Sequence, residues 1–245
     1  MTPIQVIGHR GAMAHRIENT IASFREALNQ GATALEMDIR RAASGELVVF
    51  HDPDLARLGG TPRRVEEMSL ADLKAVVLRQ PGLEGQTATI PTLHEVATDP
   101  QIRPRLERGL MLCLEIKSPH IEEALLSSIR GWGLERHVIL YAFDVEVLLT
   151  IKALSPEMPT NLLFGSEREE HLQAAAANGI SMINPEAYDA SPDFVDRARG
   201  AGLSVSVGCT NDCDELTRLL DLDLWGIHTN SPKLLIQAKQ AKGLP

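Results

Sequence analysis

Aromatic side chains are scarce in this 245-residue sequence, at 4%. Single-stranded nucleic acids are read by stacking aromatics set among clustered cations, and duplexes by basic residues that displace counterions. Neither pattern is present: no run of Lys or Arg stands out and the formal net charge is −9, so nucleic acid is excluded as a partner. No apolar stretch approaches the roughly 18 residues of a membrane helix. The opening MTPIQVIGHRG has neither the basic start nor the apolar core of a secretory signal, and a cytoplasmic protein with no membrane span is expected. Cysteine is limited to three residues. Cys113 lies in an apolar run, and Cys209 and Cys213 have no second pair to complete a zinc site or disulfide framework, which points to three reduced, structural thiols.

What is present is aliphatic. Hydrophobic residues make up 44% of the chain, so the core is mostly Leu, Ile, Val and Ala. Short apolar runs alternate with amphipathic stretches from end to end, the pattern of repeated βα units. Strands are expected at 4–8, 34–40, 46–51, 111–117, 137–142, 160–164, 180–183, 203–207 and 225–228. In ENTIASFREALNQGA, Asn19 reads as the N-cap of a helix whose apolar face carries Ile21, Phe24 and Leu28 and which Gly31 stops. Ser69 to Asp72 and Thr92 to Glu95 have capping-box spacing. Further helices are expected near 121–131, 144–154, 167–178, 192–201 and 212–220.

Between Asp38 and His51 there is no room for a helical crossover, which takes a dozen or more residues. A hairpin turning between Ser44 and Gly45 fits instead, and that register opposes Asp38 to His51 and Arg40 to Val49. Directly opposed residues share a face, with Cβ atoms roughly 5 Å apart, so Glu36, Asp38 and His51 are expected on one side. Setting this return strand aside leaves eight parallel strands. The fold class is then α/β, a TIM-type (β/α)8 barrel whose usual length of about 250 residues matches this chain. A single domain over 1–245 is expected, with an insertion at about 53–90 holding one short helix beside the site.

Four polar clusters fall at the C-terminal ends of expected strands, the rim where such barrels build active sites. In IGHRG, His9 offers proton transfer near neutral pH, Arg10 offers a charged fork suited to phosphate, and Gly11 permits a sharp turn. Glu36 and Asp38 share one face of their strand while Leu35, Met37 and Ile39 take the other; two such carboxylates repel unless a cation or proton intervenes. His51-Asp52 forms the third cluster, and Glu115 with Lys117, alternating with Leu114 and Ile116, the fourth. Together they supply three carboxylates for a metal, two histidines for acid and base, and two cations for an anion. That inventory suits metal-assisted cleavage of a small-molecule phosphodiester, with one divalent cation, Mg²⁺ or Ca²⁺, as cofactor. Nothing in the sequence specifies an oligomeric state.

The ordered segments VIGHRG, ENTIASFREALNQGA, LEMDIR, GELVVFHDPDLARL, IPTLHEV, LEIKSP and WGIHTNSP resemble the glycerophosphodiester phosphodiesterase family, a barrel in the wider phospholipase-C-like phosphodiesterase group. The resemblance implies that His9 and His51 are the acid/base pair, that Glu36, Asp38 and Glu115 hold the metal, and that Arg10 and Lys117 contact phosphate. It further implies hydrolysis of glycerophosphodiesters to glycerol 3-phosphate and an alcohol, with the glycerol hydroxyl beside the phosphate attacking first.

The sequence departs from the family pattern at several points. Ile17 stands where Pro usually precedes ENT, and ARLGGT where Arg-Thr-Thr-Asn-Gly usually follows His-Asp. Gly208 and Cys209 replace a late Trp, and Thr229-Asn230-Ser231-Pro232 a Thr-Asp before Pro. These departures are expected to lie at the alcohol or glycerol end and to leave the metal ligands and histidines untouched. Two other readings use the same residues: a related phosphodiesterase acting on a lysophospholipid or sugar phosphodiester, and a non-catalytic phosphate-binding barrel. His15, Arg16 and Arg41 carry no assignment, and His228 reads as a core or rim histidine.

Overall fold

The computed structural model of the chain describes residues 3–165 and 168–244. Among these residues the strands are β1 (Gln5–Gly8), β2 (Ala34–Arg41), β3 (Leu47–Val49), β4 (Met111–Ile116), β5 (Val138–Ala142), β6 (Thr160–Leu163), β7 (Met182–Asn184), β8 (Ser204–Val207) and β9 (Gly226–Thr229). All but β3 run parallel, and β1 pairs with both β2 and β9, which closes the ring. The result is an eight-stranded TIM-type barrel with β3 outside it, antiparallel to β2.

Helices α1 (Ile21–Asn29), α2 (Ala56–Gly59), α3 (Leu70–Ala75), α4 (Leu93–Ala97), α5 (Arg103–Leu106), α6 (Glu122–Gly131), α7 (Val145–Leu154), α8 (Arg168–Ala177), α9 (Pro192–Gly200), α10 (Cys213–Leu219) and α11 (Pro232–Ala241) complete the fold. The first residue expected in α8, Glu167, lies outside the described residues. Strand alternation sorts the layers. Leu35, Met37 and Ile39 of β2 pack outward in the large apolar cluster shared with the helices, where Phe24 of α1 is fully buried. Ala34 and Cys113 point inward with Ile7, Ile139 and Tyr141. Each fully buried Leu or Ile contributes about 1.5–3 kcal/mol, so this sorting fixes which face of each strand looks into the barrel.

Three local expectations are corrected. The segment after β3 holds α2, a 3-10 turn at Val65–Glu67 and α3, not one helix; Leu55, Leu58, Val65 and Leu73 gather there with Val48 and Phe50 around a second apolar cluster. The N-cap of α1 is Thr20, whose hydroxyl accepts from Ser23 N–H, and Asn19 instead adopts φ 56° with its side chain directed elsewhere. The hairpin register is shifted by one: Ile39 pairs with Val49 and Arg40 with Val48. The turn is a three-residue loop, with Ala42 N–H donating to Glu46 O at 2.9 Å and Gly45 at φ 103°, a conformation that Gly adopts freely. Moving the turn centre by half a residue moves every pair by one. Asp38 therefore faces Phe50, whose N–H donates to Asp38 O at 2.9 Å, and His51 lies beyond the ladder.

Candidate active site

Where β1 ends, the chain turns sharply enough to place two side chains in the mouth. His9 N–H donates to Thr229 O at 3.0 Å, and Arg10 takes φ 51°, which aims its own N–H at Glu36 Oε2, 2.8 Å away. Such a conformation costs a non-glycine residue of order 1 kcal/mol or more. At Gly11, φ is 84° and a Cβ would come within 2.4 Å of Ser23 Oγ, so only glycine lets α1 pack this close.

β2 and β4 carry the acids. Asp38 lies beside Glu115 in parallel register, and Glu36, Asp38 and Glu115 each offer an oxygen within 4.8 Å of the others. Asn19 Nδ2 donates to Asp38 Oδ2 at 2.7 Å, and Asp38 N–H donates to Asn19 Oδ1 at 3.2 Å. The left-handed turn at Asn19 thus serves the acid cluster. Arg10 Nε lies 3.3 Å from Asp38 Oδ2, Lys117 Nζ lies 3.4 Å from Asp38 Oδ1, and Lys117 also pairs with Glu115.

His51 reaches the same cavity by a different route from strand pairing. Its carbonyl accepts from Arg40 Nε and Nη2 at 3.0 and 2.8 Å, which turns the chain at the end of β3 back over the mouth. Its Nδ1–H donates to Asp52 Oδ1 at 2.7 Å. His9 Nδ1–H likewise donates to Asn230 Oδ1 at 2.7 Å; Cys209 Sγ–H converges on the same oxygen at 3.1 Å. In both rings the partner of Nδ1 leaves Nε2 as the proton-accepting nitrogen, that of His9 lying 4.0 Å from Glu36 Oε2.

The charges are unevenly held. Burial opposes ionisation of Asp38, but Arg10, Lys117 and the Asn19 amide prevail and keep it below the usual carboxylate range. Burial and the neighbouring Asp38 and Glu115 charges push Glu36 well above that range. Burial, then Asp38, raises Glu115 to about 7. Burial and the adjacent Arg10 depress His9 to about 4, and burial depresses His51. Glu36 Oε1 is buried without a hydrogen-bond donor. Asp38 Oδ1 likewise accepts no hydrogen bond, and three carboxylates, two of them carrying such an oxygen among the described residues, fit a hard divalent cation.

His9, Arg10, Glu36, His51, Glu115 and Lys117 line one cavity of about 270 Å³, whose lining also includes Phe143, Glu186, Gly208 and Cys209. His228 is also in its wall, buried, with Nδ1–H donating to Val207 O at 2.7 Å and burial lowering its pKa to about 3. His15, Arg16 and Arg41 are outside this lining and bond to Ser231, Glu26 and the carbonyl of His120. The expectation that the family departures leave the histidines untouched is overturned at Asn230, which holds His9 directly. Sequence reasoning also missed the parts played by Glu18, Asn19, Arg40, Asp52 and Arg57. The signal for Glu18 and Asn19 was the ENT triplet, of which only Thr20 caps the helix while Glu18 and Asn19 turn to the site.

The pattern that defines the glycerophosphoryl diester phosphodiesterase family matches residues 9–234. The chain belongs to this family. It is accordingly a phosphoric diester hydrolase. A glycerophosphodiester phosphodiesterase of Caldanaerobacter subterraneus is 27% identical over 244 residues, covering 97% of this chain and 98% of that protein. One from Bacillus subtilis is 28% identical, covering 97% and 87%. Among solved structures, an Oleispira antarctica phosphodiesterase in complex with the product sn-glycerol-3-phosphate superposes with a TM-score of 0.81 at 26% identity, covering 96% of each chain. Among the described residues no helix is long and apolar enough to cross a membrane.

Proposed function

We propose that this glycerophosphodiester phosphodiesterase depends on a divalent cation and cleaves its substrate to glycerol 3-phosphate and an alcohol by proton transfer through His9 and His51. The observation that carries the reading is the convergence of two imidazoles, Arg10 and Lys117 on a cavity lined by Glu36 and Glu115, with Asp38 grouped beside those two carboxylates just behind the lining. Glu36, Asp38 and Glu115 would hold Mg²⁺ or Ca²⁺, which supplies positive charge to the phosphoryl oxygens.

Arg10 and Lys117 bring fixed positive charge to the same oxygens as negative charge develops on them. One histidine withdraws the proton of the glycerol hydroxyl beside the phosphate, whose oxygen bonds to phosphorus, and the other protonates the departing alkoxide. Water then opens the resulting cyclic phosphate with the proton roles exchanged. Each transfer of this kind is worth about 10²–10⁴ in rate. The carboxylates of Asp38 and Asp52 favour an imidazolium at His51, whereas at His9 burial and Arg10 outweigh the hydrogen bond to Asn230; His9 is therefore the neutral ring available to take a proton in the first step, and His51 the one with carboxylate support for giving one.

The test is cleavage by purified protein of glycerophosphocholine, read as glycerol 3-phosphate, and of lysophosphatidylcholine and a sugar phosphodiester, each read as its own phosphomonoester and alcohol, before and after EDTA treatment. Turnover of the glycerophosphodiester, lost with EDTA and restored by Mg²⁺ or Ca²⁺, is expected. Full activity in metal-stripped protein would remove the cation from the mechanism, and preference for another diester would reassign the substrate.

A further inference from the structure

Arg57 lies in α2, within the segment between β3 and β4, yet its guanidinium reaches back to the barrel mouth. Its Nε donates to Asp52 Oδ2 at 2.7 Å, while Nη1 and Nη2 each donate to a different oxygen of Glu18, also at 2.7 Å. The remaining oxygen of Asp52 accepts the Nδ1–H of His51, and Glu18 Oε1 also accepts from Arg10 Nη1 at 2.9 Å. An unbroken chain of charge-assisted hydrogen bonds therefore runs from His51 through Asp52, Arg57 and Glu18 to Arg10. Glu18 is buried, with 1% of its surface exposed, and the two guanidinium groups are the partners that hold its charge there.

We propose that Arg57 is a positioning residue for the reaction, orienting the His51 imidazole and the Arg10 fork together from one guanidinium. The proposal rests on the functional reading above for the roles of His51 and Arg10. Arg57 is absent from the cavity lining, so it acts through Asp52 and Glu18 and not on substrate. Its shape is what the position uses. A planar guanidinium spans two carboxylates in fixed directions, whereas an ammonium at the same place is a point charge on a flexible stem. The backbone of the segment has its own anchors in the buried Leu55 and Leu58, and the Arg57 side chain is 41% exposed, so its removal takes little apolar contact from the core.

The experiment compares Arg57→Ala and Arg57→Lys with the wild type on glycerophosphocholine in the cation-loaded enzyme. A misplacement of about 1 Å in a reacting group can cost on the order of 10²-fold, and kcat is expected to fall by about that factor in Arg57→Ala, with Arg57→Lys recovering little of it. Added guanidinium at millimolar concentration is expected to restore activity to Arg57→Ala, and ammonium is not. Asp52→Asn is expected to cost little more in the Arg57→Ala background than Arg57→Ala costs alone, because both act through one chain. Activity of Arg57→Ala within twofold of wild type overturns the proposal. So does a loss that tracks thermal instability and that guanidinium does not rescue, or full activity in Arg57→Lys. If the wild type itself turns over no glycerophosphodiester, the functional reading fails on its own. Positioning is then read from the His51 imidazole nitrogen resonances, which must shift in Arg57→Ala and whose constancy overturns it.

Discussion

Loading the acid cluster with a cation should expel protons, and the structure sets the direction and size of the effect. With no cation bound, burial and neighbouring negative charge raise Glu36, and burial followed by Asp38 raises Glu115 from an ordinary 4.5 to about 7. A carboxylate raised in the folded state favours folding while it is protonated. Its contribution is fully present below the unfolded value of 4.5 and is lost as pH rises through 7. At about 1.4 kcal/mol per pH unit, the displacement at Glu115 amounts to about 3 kcal/mol of stability lost by the metal-free protein across that window. A cation bound by all three carboxylates requires them ionised, so its affinity should rise roughly tenfold per pH unit for each proton displaced. The assay is thermal unfolding at pH 5.5, 6.5 and 7.5, in EDTA and across a series of Mg²⁺ or Ca²⁺ concentrations. The difference between the two conditions cancels titrating groups remote from the cluster, and it should widen as pH rises. A difference independent of pH, or one unchanged in Glu36→Gln and Glu115→Gln, would refute the reasoning.

Three further outcomes follow from the geometry. His9→Ala and His51→Ala should each reduce turnover at least about 10²-fold, with circular dichroism and the unfolding midpoint close to wild type, since neither ring belongs to an apolar cluster. Asn230→Asp would set a carboxylate against His9 Nδ1–H and raise its pKa from about 4. Because the neutral ring is the proton acceptor, the acidic limb of the kcat/KM profile should move up by about 1 unit or more; an unmoved limb removes His9 from the base role. Gly11→Ala should destabilise the fold by about 1–3 kcal/mol in chemical denaturation, from a positive φ and a Cβ placed against Ser23.

Much of this protein is determined locally, and that part is legible in the chain. Alternation in LEMDIR puts Glu36 and Asp38 on the face opposite Leu35, Met37 and Ile39 whatever surrounds the strand, because successive side chains of a strand point to opposite sides. Eight such strands separated by amphipathic helices suffice to predict a closed barrel, and strand ends to predict its rim. Cap identity, hairpin register and the support of each imidazole belong to the tertiary structure. Asn19 has the chemistry of an N-cap, yet its amide is recruited by Asp38, a residue on another element. His51 shares the site with Asp38 although the hairpin does not oppose them, because Arg40 grips its carbonyl after the ladder has ended. Asn230, 221 positions from His9, is brought to it only when β9 closes against β1. A strand's period is fixed by bonds within the strand, whereas the placing of Glu18, Asp52 and Arg57 in one chain depends on charges that meet only once the barrel has closed and the segment after β3 has folded against Glu18.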